Sequence, residues 1–391
     1  MSIAGSQSAA GWRATTVDMA LRHPVLAALA IFLVSRAFVV LGVVFADLVI
    51  APKTGPGLWQ IGEFWFHRLL RWDTGWYLRI ATHGYTVNPD PSVETTIVFF
   101  PLLPLAARAL SALTGLRIFD AMLLLGVAGG LASVGLLAAL VRPLFGAATA
   151  IRSAALLAFL PSSVFLSAAY TEPVALALVL AAFIALAHQR FWLAALACGV
   201  ATAARSATVA LVPVILAAAA LASPLPPLRR MLMVLLLGAL ATGGLLLFMA
   251  WQGWVFGDPF AFAKGQQAWA GGMSIGRRIV NAALLRPLWP FSYGAFWLLA
   301  AAALVVLGAF RLPWTWTVYA VLALAIPYVT LGTGAAGLGS MSRFALMAFP
   351  AVVTLALLLE GRPRLTLAAI AVLAIGLFVT TAAFSQWHFV G

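Results

Sequence analysis

The sequence predicts an all-α fold: a polytopic bundle of transmembrane helices with interfacial helices in its first external loop. Three observations lead there. Hydrophobic residues make up 64% of the 391-residue chain and charged residues 8%, with a mean hydropathy of +1.07. A soluble domain of this length needs far more charge on its surface. The apolar runs are long, rich in Ala and Leu, and do not alternate. That pattern suits helices and excludes a β-barrel, which needs alternating segments of about ten residues. Finally, a span takes roughly 20 apolar residues, so the length admits about ten to twelve crossings plus one or two real loops.

The net charge is +13. The arginines stand singly between apolar runs, which fits positive-inside topology and contact with anionic membrane lipids or phosphates, not nucleic acid. A single cysteine, Cys198, lies in an apolar run and excludes a disulfide or a Cys-based metal site. Residues 1–23 read as a cytoplasmic N-terminus held inside by Arg13 and Arg22. The apolar run from Pro24 to Ile50 exceeds a signal-peptide core and reads as a retained first helix.

Residues 51–98 are expected to form the first external loop. It opens on the turn residues Pro52, Gly55, Pro56 and Gly57. From Gly62 to Thr82, rings and aliphatics interleave with Glu63, His67, Arg68, Arg71, Asp73 and Arg79. One interfacial helix is predicted there, ended by Gly84. Phe99–Leu113 is short and carries Pro101, Pro104 and Arg108, which suits a half-span. Further spans are expected near 120–141, 151–168, 173–187, 191–206, 207–222, 231–250, 293–310, 313–333, 344–360 and 365–385. A second large external loop is expected at 251–290. If Phe99–Leu113 does not cross, the arginines at 142, 152, 190, 229, 230, 311, 362 and 364 can all be cytoplasmic. The outer side then carries 51–98, Ser167–Glu172, the turn near Arg205, 251–290 and Leu331–Arg343. If it does cross, one run between 120 and 170 is re-entrant. No repeat is visible, and 1–391 reads as one membrane-embedded domain.

Acids are scarce, with ten Asp and Glu in all. One of them, Asp73, sits in the polar stretch Arg71-Trp72-Asp73-Thr74-Gly75-Trp76-Tyr77. That stretch resembles the PIG-V family of GPI-anchor mannosyltransferases and their bacterial relatives. The resemblance rests on Trp72-Asp73, Trp76-Tyr77, Ile80-Ala81 and Gly84-Tyr85, followed by Phe99-Phe100-Pro101-Leu102-Leu103-Pro104. Pro161-Ser162-Ser163, Ser167, Tyr170-Thr171-Glu172 and Ala203-Ala204-Arg205-Ser206 are similar to later family elements. So are Gly257-Asp258-Pro259 with Gln266, Gln267 and Trp269, and Ser342-Arg343-Phe344 with Phe349-Pro350. Leu160 stands where the family often has Asn, and Thr171 where it often has Ser. The resemblance implies the GT-C architecture, an active site facing away from the cytoplasm, and a polyprenyl-phosphate sugar donor, usually mannose. The acceptor would be a hydroxyl of a lipid-linked or cell-envelope glycan.

Such a transfer needs a base for the hydroxyl, cationic groups for the leaving phosphate, and both partners held in line away from water. One carboxylate suffices, because the phosphate leaves unprotonated. Asp73 is the candidate base; on position alone it could equally pair with Arg71 or Arg79 at the headgroups. Glu172 could bind a substrate hydroxyl or simply cap the helix that begins at Pro173. Arg205 and Arg343 are candidates to grip phosphate by bidentate hydrogen bonds, or else snorkel at the interface. Trp72, Tyr77, His83 and Tyr170 complete the candidate substrate-binding set, with His83 read chiefly as a structural hydrogen bonder. Asp258 reads as a turn residue and Arg71 and Arg79 as fold or headgroup contacts. No cofactor is expected: there is no ligand-spaced metal cluster, with a divalent ion shared by Asp73 and Glu172 the alternative left open, and the lack of a Gly-rich nucleotide loop disfavours a sugar-nucleotide donor. The competing function is a polytopic lipid or sugar transporter or flippase, which would place charge at the midplane and show inverted repeats.

Overall fold

The structure is a computed structural model that describes residues 18–51, 62–90, 92–269, 272–289, 291–331 and 338–390. Arg13 and the turn residues Pro52, Gly55, Pro56 and Gly57 lie outside these. Among the described residues there are helices and turns and no β-strand, as predicted.

Helix α1 spans Pro24–Val49, with Pro24 at its first turn, where no hydrogen-bonded N–H is required. Helix α2 spans Asp73–His83, α3 Leu102–Thr114 and α4 Ile118–Phe159. Helix α4 contains one non-helical residue, Gly146, at φ 81°. The kink at Gly146 divides α4 into two helices, so the two expected spans meet there. The second ends at Phe159, not near 168, because Pro161 restricts the residue before it and cannot donate to the helix ladder. A 3-10 turn, Pro161–Leu166, follows.

Then come α5 (Glu172–Ala187), α6 (Phe191–Ala204) and α7 (Val212–Ala222), with a 3-10 turn at Ser206–Leu211. Helices α8 (Pro227–Ala241) and α9 (Gly243–Phe256) meet at 64°, a broken span or a re-entrant loop where one span near 231–250 was expected. The expected loop 251–290 is itself mostly helical: it takes in the end of α9, then α10 (Ala261–Trp269) and α11 (Ile275–Ala283). Helices α12 (Tyr293–Gly308), α13 (Trp314–Thr330), α14 (Met341–Ala345), α15 (Phe349–Leu358) and α16 (Pro363–Ser385) complete the chain.

Among the described residues, α1, α4 and α16 are long and apolar enough to cross a membrane alone, and α8 with α9 could make a bent fourth. The other apolar helices have 10–17 residues. The short runs expected at 173–187 and 191–206 are among these, as α5 and α6. Helix α15 starts at Phe349, not near 344, because the Ser342-Arg343-Phe344 stretch forms its own short helix.

Helix α4 runs through the middle of the main core, packed by α1, α3, α5 and α16. Its glycines decide how closely the chain after Phe159 can approach. A Cβ at Gly126 would stand 2.3 Å from the Ala168 carbonyl oxygen, and one at Gly130 2.2 Å from that of Leu166. Both are impossible contacts, so these two positions let backbone pack on backbone. The segment 166–172 is thereby pressed into the protein and directed at α2.

Candidate active site

The single interfacial helix expected over Gly62–Thr82 is broken. Trp65–Leu69 is a 3-10 turn, and α2 starts afresh at Asp73. The break is Trp72, at φ 53° and ψ −115°. A bulky L-residue in such a conformation costs roughly 1–3 kcal/mol and persists only where its surroundings hold it. Here they do. Trp72 packs edge-on against Trp387 at 5.6 Å and Phe389 at 5.4 Å. Arg71 beside it is buried, donates from Nε to the Ser385 carbonyl at 2.9 Å, and lies over Trp387. Arg71 is thus a fold contact, as expected, and ties this turn to the end of α16. The consequence is that Asp73 sits at a helix N-terminus, where peptide dipoles favour a carboxylate.

Asp73 pairs with neither Arg71 nor Arg79. Its Oδ2 accepts from Arg343 Nη1 at 2.5 Å, across 270 residues. Arg343 Nε lies 3.0 Å from Glu172 Oε1, and Glu172 Oε1 also pairs with Arg205 Nη1. Four of the predicted residues therefore form one chain of alternating charge: Asp73, Arg343, Glu172, Arg205. Arginine rings the cluster with aromatic faces. Arg205 lies 4.6 Å from the centroid of Phe344, and Arg343 5.3 Å from those of Phe344 and Tyr170. Burial opposes the charge on Arg343, but the fields of Asp73 and Glu172 outweigh it and hold the guanidinium above its ordinary pKa.

Glu172 is not the helix cap. Thr171 occupies that position and Glu172 is the first helical residue, 1% exposed. Tyr170 is buried; its O–H donates to the Arg71 carbonyl at 3.2 Å and accepts from the Asp73 N–H at 3.3 Å. Tyr77 is buried with its O–H 3.4 Å from the Thr171 hydroxyl, and Thr74 Oγ1 donates to the Ala169 carbonyl at 3.4 Å. The start of α2 is thus stitched to residues 169–171. His83 falls elsewhere: it is exposed at the end of α2, its Nδ1 2.7 Å from Thr82 Oγ1. Asp258 pairs with Lys264 and accepts from the Phe260 N–H, as a turn residue does.

The cluster is incompletely satisfied. Arg343 Nε lies near Glu172 Oε1 without the alignment of a hydrogen bond and is buried with no other hydrogen-bond acceptor, while Glu172 Oε1 is ion-paired with Arg205 as well. The Trp72 Nε1–H is likewise buried and unpartnered. Asp73 keeps 23% of its side chain accessible, against 1% for Glu172. Such an array can bind an anion on its guanidinium groups and present an open carboxylate beside it. Among the described residues no three His, Cys, Asp or Glu side chains converge as metal ligands would.

Two contributors were missed by sequence reasoning. Glu94, in the segment before α3, feels the field of Asp73; burial and then that field hold its carboxyl above the ordinary range. Arg36 braces the 158–167 segment from the far side. Its signal was available, as a lone charge halfway along the first apolar run.

A family model described as "Mannosyltransferase (PIG-V)" matches residues 57–252, half of the chain. No curated protein sequence matches it. Solved structures with a similar trace include the Archaeoglobus fulgidus oligosaccharyltransferase in three forms. The apo form is 11% identical, with 91% of this chain and 56% of that one covered and a TM-score of 0.47. The complex with Zn and sulfate is 15% identical, covering 90% and 53%, with a TM-score of 0.47. The form tethered to an acceptor peptide is 13% identical, covering 91% and 56%, with a TM-score of 0.43. The chain spans just over half the length of that enzyme.

Proposed function

Because this chain belongs to the mannosyltransferase (PIG-V) family, we propose that it is a membrane glycosyltransferase of GT-C type that moves a mannosyl residue from polyprenyl-phosphate-mannose to an acceptor hydroxyl. The acceptor is part of a lipid-linked or cell-envelope glycan, and transfer takes place on the side of the membrane away from the cytoplasm. The observation that carries the reading is the Asp73–Arg343–Glu172–Arg205 chain, in which the most accessible acid shares its arginine with a buried one.

In this scheme Asp73 is the base. Arg343 occupies Oδ2, and the remaining oxygen takes the proton of the acceptor hydroxyl as that hydroxyl attacks C1 of the sugar. The bond from C1 to the phosphate oxygen breaks, and the electron pair leaves with the lipid phosphate. Arg205 and Arg343 take up its charge through planar, forked donors that lysine does not reproduce. A single displacement inverts the anomeric centre, so one acid at the reacting carbon suffices, in contrast to the paired carboxylates of glycosidases. Glu172 pairs with both arginines through one oxygen, Oε1, and so holds them side by side. Tyr77, Tyr170 and Trp72 fix the start of α2, and the Trp72 indole N–H is a buried donor without a protein acceptor.

The test is Asp73→Asn in membranes given labelled polyprenyl-phosphate-mannose. The expected result is normal protein levels with label no longer transferred to any acceptor. Undiminished transfer would remove Asp73 from the mechanism. Label that crosses the membrane without covalent transfer, in the unmodified protein, would favour the transporter instead.

A further inference from the structure

Arg36 sits at the middle of α1, the thirteenth of 26 residues. At 1.5 Å per residue it is roughly 18 Å from either end of the helix. A guanidinium at that depth is costly unless fully engaged. It has no acidic partner among the described residues; instead it is engaged by neutral oxygens. Nη1 donates to the Ser163 carbonyl at 2.9 Å and to Ser167 Oγ at 2.7 Å. Nη2 donates to the Ala158 carbonyl at 2.8 Å and to Ser163 Oγ at 3.0 Å, and the Ser35 hydroxyl takes Nε and Nη2. The Phe32 ring covers its face at 4.4 Å.

All the distant acceptors lie on one segment, residues 158–167. The Ala158 and Ser163 carbonyls are freed because Pro161 ends α4, and the guanidinium fork spans the gap between them. This segment runs directly into Tyr170, Thr171 and Glu172. The Tyr170 hydroxyl meets the Asp73 N–H, and Glu172 meets both site arginines. On its inner side the same segment lends the Phe165 ring to Arg343, 5.8 Å from the guanidinium carbon. Arg36 and Arg343 thus both contact this segment.

We propose that Arg36 is a positioning residue for the transfer reaction: it fixes the 158–167 turn, and through Tyr170 and Glu172 it sets the distance between Asp73 and the arginines. The inference rests on reading Asp73 as the base. Its physical basis is the steep dependence of a displacement reaction on alignment, where an error of about 1 Å costs on the order of 100-fold. A substrate-binding role is not involved, because Arg36 spends its donors on the protein itself.

The experiment compares Arg36→Lys, Arg36→Met and Ser167→Ala in the full chain, with Asp73→Asn alongside. Membranes are supplied with radiolabelled polyprenyl-phosphate-mannose over a range of concentrations, and protein amount and melting are measured in detergent. Arg36→Lys, which keeps the charge but loses the fork, is expected to lower the maximal rate about 10- to 100-fold with the donor KM within about twofold. Arg36→Met is expected to lose more and Ser167→Ala less. Should Arg36→Met fail to accumulate, Arg36→Lys and Ser167→Ala decide the matter. A full maximal rate in Arg36→Lys, or a loss carried entirely by donor KM, overturns the proposal. If Asp73→Asn is inactive and Arg36→Lys is normal, only this inference fails. If Asp73→Asn still transfers, the reading of the base fails first.

Discussion

Two acid–base clusters grow from the same polar stretch, and they are built to opposite ends. One is His67 with Asp120 and Arg117. His67 is fully buried. Its Nδ1 accepts from the Phe64 N–H at 3.0 Å, so the proton resides on Nε2, which donates to Asp120 Oδ1 at 2.8 Å. Arg117 takes the other carboxylate oxygen at 2.6 Å. Both nitrogens of this imidazole have partners, and the group rivets the Trp65–Leu69 turn to the start of α4. The other cluster is Asp73, Arg343, Glu172 and Arg205. It holds a buried Arg343 Nε not aligned with its nearest acceptor, an indole N–H with no acceptor, and an acid with part of its surface open. Satisfied polar groups make structure. Unsatisfied ones next to an accessible charge are places where a ligand completes the bonding.

That contrast can be broken by experiment. Asp73→Asn is expected to have the largest effect on transfer, a loss of roughly 10³-fold, within the range a general base contributes. Melting should change little, because the amide still fits at the helix start. Next comes Arg343→Lys. It keeps a charge beside Asp73 and Glu172 but cannot bridge them, and transfer is expected to fall about 100-fold with a raised donor KM. Equal rates for Lys and Arg would show that charge alone suffices. Trp72→Phe retains the packing on Trp387 and Phe389 and removes only the unpartnered N–H. A loss of about 3- to 10-fold, confined to KM, is expected if that donor meets substrate. His67→Ala should affect transfer least, within about threefold per folded molecule, yet destabilise the protein by about 2–4 kcal/mol as a lower melting temperature. A rate loss as large as that of Asp73→Asn would erase the distinction between the clusters.

Much of the site was legible because its residues are exceptions to their surroundings. Asp73 is one of few acids, and Arg205 interrupts an Ala-rich run. Four polar residues that stand out in the sequence, Asp73, Glu172, Arg205 and Arg343, are in direct contact. The pairings were not legible. Arg71 and Arg79 flank Asp73 in sequence, and local reasoning offered them as partners. A backbone reversal at Trp72 instead turns Asp73 toward Arg343. Rings contributed from beyond residue 386, together with the Arg71 and Tyr170 hydrogen bonds, hold that reversal in place. The His67 rivet was missed for the same reason: nothing in sequence links residue 67 to residue 120.

Composition and hydrophobic run length by themselves determined that this is a helical membrane protein, because lipid leaves a backbone almost no other way to satisfy its hydrogen bonds. The scarcity of acids then pointed to Asp73. Tertiary structure alone decided where helices stop and which charges meet. Proline and glycine shorten the helices from within, but the approach of 166–172 to α4 depends on Gly126 and Gly130 facing that segment. Ion pairing across 270 residues depends on packing that no local propensity encodes.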